Sequence, residues 1–239
     1  MGGRIDVYLD IVSLYSYIAY LDLLKNRALL SAHSVEVEFH PVFLGAINAG
    51  SGNKPPWTLP AKALYGAHDA RRSVARHPGL TIQTPDDLMA VAMTVLPLRA
   101  LHHIKRTRPS QTYEATLHAL MRTFWSGAPT ADLSQPTNLG AALSPLFAPA
   151  EVDEILAAAG SPEMKEALKA ATREALDRGA FGCPWLWVTD SRGHGEPFFG
   201  SDRFHFIYKF LGLPYQDVTL LPPAATEGVS ESGESKSKL

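Results

Sequence analysis

Apolar and polar residues alternate along residues 4 to 11, with Ile5, Val7, Leu9 and Ile11 on one face and Asp6, Tyr8 and Asp10 on the other. That is the two-residue period of a β-strand. From 14 to 27 the spacing becomes helical, and Val35, Val37 and Phe39 then alternate with Glu36, Glu38 and His40 as a second strand. Strand, helix and strand at this length imply a parallel pair joined by a right-handed crossover. Between Pro55 and about Gly179 strand signals vanish, and residues 86–106, 111–126, 137–146, 149–159 and 161–178 read as helices. Thr84-Pro85-Asp86-Asp87 heads the first of them with a cap, a first-turn Pro and acids at the positive end of the dipole. Strand spacing returns at "PWLWVTD" (184–190), followed by a Gly-containing turn and "PFFG", which together predict a hairpin. A last helix is expected from Ser201, with Phe204, Ile207, Tyr208 and Leu211 at helical spacing and Gly212 and Pro214 ending it.

Paired strand-helix units at the two ends of the chain, interrupted by a helical block, predict an α/β thioredoxin-like domain with a large all-helical insertion. The expected boundaries are 1–57 and 179–221 for the thioredoxin-like domain, 58–178 for the insertion and 222–239 for a disordered tail rich in Ser, Glu, Gly and Lys. The 239 residues, 46% of them hydrophobic, suffice for a sizeable core. A formal net charge of -2 gives no reason to expect nucleic acid or an anionic membrane as partner. No apolar run approaches the ~20 residues that cross a bilayer.

The cysteine count changes the picture most. With Cys183 alone there can be no internal disulfide, no CxxC pair and no cysteine-rich zinc site, so sulfur chemistry requires an external thiol. The adjacent His102 and His103 show no metal-binding spacing, and neither a GxSxG nor a Walker-type loop is present, so neither a metal nor a nucleotide is expected.

Four stretches are candidates for chemistry. In "SLYS" (13–16), Ser13 stands at a strand-to-helix junction. It is a favoured N-cap residue, and a capping hydroxyl that accepts a backbone N–H keeps a proton to donate to an anion at the positive helix end. Lowering a thiol pKa by two units requires ~2.7 kcal/mol. A hydrogen bond to a charged group supplies ~1.5–3 kcal/mol. Ser16 is the competing candidate and fits a capping partner, while Tyr15 fits a pocket wall. In "AFGCPW" (180–185), Pro184 at the head of an interior strand fits either a cis proline that turns the backbone of Cys183 toward a ligand, or a trans proline opening an edge strand. Cys183 itself fits a small buried residue. In "FFGSDRF" (198–204), Ser201 and Asp202 fit a helix start, or a pair holding the carboxylate and ammonium of an amino-acid head. Finally, "SGNKPPWTLPAK" (51–62) reads as a long loop carrying Asn53, Lys54 and Lys62.

In this order and at these separations the four stretches resemble kappa-class glutathione transferases and the related 2-hydroxychromene-2-carboxylate isomerases, from about Arg4 to Gly212. The resemblance implies glutathione as co-substrate. It assigns the thiol contact to Ser13, tripeptide contacts to Asn53 and Lys62, backbone recognition to Cys183 before a cis Pro184, and the γ-glutamyl end to Ser201 and Asp202. It also implies a homodimer, a small electrophilic or peroxide substrate and a role in detoxification. The family commonly has Pro and Trp where this chain has Leu14 and Tyr17. Three functions are therefore expected in order: a transferase that uses the activated thiol, a glutathione-dependent isomerase, and a binder of glutathione or peptides without chemistry. Ser237-Lys238-Leu239 matches the tripeptide read by the peroxisomal import receptor, so a peroxisomal address is expected.

Overall fold

A computed structural model describes residues 2–85 and 87–218; the tail with Ser237, Lys238 and Leu239 lies outside the described residues. The chain opens with strand β1 (Gly3–Leu9), helix α1 (Leu14–Ala32) and strand β2 (Val35–Pro41). Helix α2 (Leu44–Ser51) and a 3-10 turn (Pro56–Thr58) then lead to α3 (Pro60–Ala75), α4 (Leu88–Val91), α5 (Val95–Thr107) and α6 (Ser110–Phe124). A second 3-10 turn (Pro129–Ala131) precedes α7 (Pro136–Leu143), α8 (Pro149–Gly160) and α9 (Pro162–Asp177). The chain returns through β3 (Trp185–Asp190) and β4 (Gly195–Phe199) to α10 (Phe204–Phe210).

The strands form one sheet in the order β2-β1-β3-β4. As the spacing predicts, β1 and β2 are parallel, Gly3 facing Val35 and Leu9 facing Pro41, and β3 and β4 form the antiparallel hairpin. β1 also pairs antiparallel with β3, Tyr8 facing Trp185, which brings the two halves of the sequence together beside the start of α1.

The alternation in β1 does not separate an inner from a wet face. Ile5, Val7 and Leu9 join Phe39, Leu101, Ile104, Leu117 and Met121 in one apolar cluster, so α5 and α6 share their core with the sheet. Tyr8 is equally buried on the other face, where Val42, Ile47, Ala175, Ala180, Cys183 and Trp185 cover it. Central strands covered on both faces lose the alternation between core and solvent. Asp6 persists in this setting because Arg4 and His40 reach it at 2.9 and 2.8 Å. Burial alone would raise its pKa, but their hydrogen bonds outweigh that and hold it at about 2.

Several boundaries differ from the sequence reading. The helix expected over 86–106 is two: Asp87 caps α4 through Ala90 N–H, and the chain breaks before Thr94 opens α5. Helix α2 was not signalled. The loop expected to run to Lys62 closes earlier, since Pro60 starts α3 and Lys62 lies in its first turn. Ser201 does not start the last helix. Arg203 occupies the N-cap of α10 without a side-chain bond, and Ser201 and Asp202 form the preceding turn.

Candidate functional site

The site begins where β1 ends. Ser13 is the N-cap of α1, with extended backbone (φ -89°, ψ 112°), and its Oγ accepts the N–H of Ser16 at 3.1 Å. The same Oγ donates to the carbonyl of Cys183 at 2.9 Å. The Cys183–Pro184 peptide bond is cis, which settles the alternative left open by the residues themselves. Ser13 therefore joins the first helix to the proline loop of the distant half of the chain. Its proton, expected to be available for a ligand, is engaged with a carbonyl.

Ser16 meets its expected capping role through its backbone only. Its own Oγ is fully buried and has no hydrogen-bond partner among the described residues. Tyr15 bonds through its phenol to Asp69 of α3, and burial first, then that bond, raises its pKa. Tyr17, at the position where the resembled family carries Trp, packs its ring 5.9 Å from that of His118.

The loop carrying Ser13 is pinned by groups that the sequence reading missed. Asp10 is completely buried and accepts from Val12 N–H at 3.2 Å, Leu44 N–H at 2.8 Å and the Thr94 hydroxyl at 2.7 Å. Burial raises its pKa to about 6 against the opposing pull of those donors. Trp125 adds an indole N–H to the carbonyl of Ile11 at 3.0 Å. An acid among apolar residues at the end of a strand was the one available signal, but its donors come from α2 and α5 and are visible only in the fold.

On the facing side, Cys183 is buried, and desolvation followed by the field of Asp10 pushes its thiol well above the ordinary range. This agrees with its reading as a small buried residue, because a reactive cysteine needs the opposite environment. Asn53 donates its amide to the carbonyl of Phe181 at 2.6 Å, and its side-chain oxygen accepts Lys54 N–H at 2.9 Å. It thus clamps the proline loop from outside. Gly200 N–H donates to the Pro184 carbonyl at 3.2 Å, which places the Ser201-Asp202 turn beside that loop. Gly200 has φ +95°, a left-handed backbone conformation that favours glycine. Ser201 is buried and Asp202 exposed, paired with Arg203.

α3 closes the remaining side. Arg76 just beyond its end donates to the Ser201 carbonyl at 3.2 Å and pairs with Asp22 of α1. Lys62 is exposed, and its side chain makes no hydrogen bond or ion pair among the described residues. The structure thus brings Ser13, Ser16, Cys183 and Pro184 together and places Ser201, Asp202 and Asn53 against the same proline loop. It shows no contact joining Lys62 to them.

Asp6, Glu38 and His40 offer ligand atoms within 4.8 Å of one another. Arg4 and Lys105 already neutralise them, since Arg4 pairs with both acids and Lys105 with Glu38 at 2.6 Å, which does not suit a cation site.

The human protein named glutathione S-transferase kappa 1 is 28% identical over 224 residues, covering 92% of this chain and 95% of its own length. The Caenorhabditis elegans glutathione S-transferase kappa 2 is 29% identical over 217 residues, covering 87% and 92%. The solved 2-hydroxychromene-2-carboxylate isomerase superposes with a TM-score of 0.68 at 19% identity, over 87% of this chain and 94% of its own, and shares the fold. The DsbA-like thioredoxin domain family matches residues 4–212.

Proposed function

We propose, from the premise that the chain belongs to the DsbA-like thioredoxin domain family, that it is a glutathione transferase whose Ser13 stabilises the thiolate of bound glutathione. The observation that carries this reading is the hydroxyl held at the head of α1 between Ser16 N–H and the Cys183 carbonyl. The curated relatives named as kappa-class glutathione transferases support it over nearly the whole chain. With one buried cysteine of raised pKa, the chain's own thiol is unsuited to the nucleophile's role.

When sulfur arrives, Ser13 keeps its bond from Ser16 N–H and turns its proton from the Cys183 carbonyl to the thiolate. It gives up a neutral hydrogen bond worth ~1 kcal/mol for a charged one worth ~1.5–3 kcal/mol. The net gain lowers the thiol pKa by roughly one unit, to which the helix end adds up to about 0.7. The carbonyl freed in this exchange can accept the N–H of the cysteinyl unit, in the manner of an added strand. Sulfur then attacks an electrophilic carbon; an S–C bond forms and the leaving group departs with the bonding pair. Ser201 and Asp202 hold the γ-glutamyl end, while Asn53 acts through the proline loop and Lys62 supplies charge from α3. A homodimer belongs to this reading, supported by α3, which has no buried residue and exposes Leu64 and Tyr65.

Mixing the protein with glutathione just below neutral pH should generate the ultraviolet absorbance of a thiolate. Absence of that signal with retained binding would leave a binder without chemistry. If glutathione is regenerated rather than consumed with product, the chain is an isomerase.

A further inference from the structure

Away from Ser13, a cleft of about 830 Å³ opens between α2, α5 and α9. This falls within the ~300–1,000 Å³ range of small-molecule sites. Phe43, Val95, Leu168 and Leu176 give it an apolar wall, and Arg99, Lys165, Lys169 and Arg173 line it with positive charge against Asp177 alone. None of the residues assigned above to glutathione lines it.

Three of the four cations, Arg99, Lys165 and Arg173, are not neutralised by an ion pair among the described residues. Lys169 pairs with Glu166 at 2.8 Å, and Nε of Arg99 is buried without a hydrogen-bond partner among those residues. Lys165, Lys169 and Arg173 also follow one another at four-residue spacing, which stacks like charges on one helix face and destabilises it. The ion pair of Arg106 with Glu163 joins the end of α5 to the start of α9. Arg99 lies seven positions before Arg106, about 10 Å along the axis, and lines the cleft together with Lys169 and Arg173 of α9. Two guanidinium groups therefore line one cleft that also has an apolar wall, and guanidinium is the side chain best matched to a carboxylate.

We propose that this cleft binds an amphipathic carboxylate, with its apolar body against Phe43, Val95, Leu168 and Leu176 and its head between Arg99 and Arg173. Binding is independent of the glutathione site. The test is calorimetric titration of the full chain with decanoate, decanol and inorganic sulfate. Decanoate should bind one to one, at least tenfold more tightly than either comparator, and glutathione should not displace it. Arg99→Gln should weaken decanoate at least tenfold. Because Arg99 is partly buried, the exposed Arg173→Gln variant is the control for folding and should weaken it at least threefold. No binding, equal binding of decanol, displacement by glutathione, or unchanged affinity in Arg173→Gln would each overturn the proposal. The thiolate measurement on the same protein reads the transferase assignment separately.

Discussion

The two sides of the Ser13 site are built differently. On the β1 side the loop from Asp10 to Ser13 is buried, and its hydrogen bonds come from α2, α5, Trp125 and the proline loop. On the α3 side no helix residue is buried, and the polar contacts include the phenol of Tyr15 with Asp69, the ion pair of Arg76 with Asp22 and the reach of Arg76 to Ser201. A hydroxyl that must meet sulfur at one position needs a stiff frame, whereas residues that grip a flexible tripeptide can stand on a helix with few anchors. Elements with little buried surface are those that open at low cost. Under the proposed function, the first side carries the chemistry and the second contributes to affinity.

The largest effect should come from breaking the stiff side at its centre. Asp10→Ala leaves Val12 N–H, Leu44 N–H and the Thr94 hydroxyl without their acceptor. At ~1–3 kcal/mol for each unsatisfied donor, the loss should be about 3 kcal/mol or more, read from urea denaturation. A loss below about 1 kcal/mol would deny Asp10 its central place.

The next effect depends on pH. The folded-state pKa of Asp10 is raised from 3.8 to about 6, so between those values the folded state holds more protons and this residue makes stability fall as pH rises. His102, buried and bonded to the Pro41 carbonyl at 2.9 Å, is lowered by burial from 6.5 to about 4. There the unfolded state holds more protons, so stability rises with pH across nearly the same window. The two slopes oppose each other in the native chain. Asp10→Asn removes one and should expose a rise on the order of 2 kcal/mol from pH 4 to 6.5, seen as a pH-dependent urea midpoint. A flat profile would contradict the assignment.

Between the two serines the comparison can be sharpened directly. Ser13→Ala should lower kcat/KM about tenfold, corresponding to ~1.4 kcal/mol, and raise the pKa of bound glutathione by about one unit while binding persists. Ser16→Ala removes a hydroxyl that has no partner among the described residues and should leave both nearly unchanged. The reverse pattern would move the thiolate contact to Ser16. The smallest effect is expected on the α3 side. Tyr15→Phe breaks only the bond to Asp69 and should raise KM for glutathione a few-fold at constant kcat, for a cost under about 1 kcal/mol. A fall in kcat instead would place Tyr15 in the chemistry.

Much of this was legible in the sequence because it depends on short-range rules. Two-residue and helical spacings located β1, α1, β2 and the hairpin, and Ser13 carried the mark of an N-cap. Where a break arose from tertiary packing, the reading failed: the helix expected over 86–106 divides so that Thr94 can turn its hydroxyl to Asp10. Ser201 looked like a helix start, yet the turn through Gly200 delays α10 until Phe204. Asp10 stayed inconspicuous because two of its three donors lie 34 and 84 residues away in the chain.

By itself, the sequence determined the order of elements, the lone cysteine that demands a borrowed thiol, and a hydroxyl at the head of the first helix, since period, count and capping are properties of neighbours along the chain. Only the tertiary structure decided that the Ser13 proton rests on Cys183, that Asp10 is sealed beneath it, and that Arg99 and Arg173 face one cleft. Those facts depend on which distant groups the sheet and the helical block bring together, and no spacing along the chain records that.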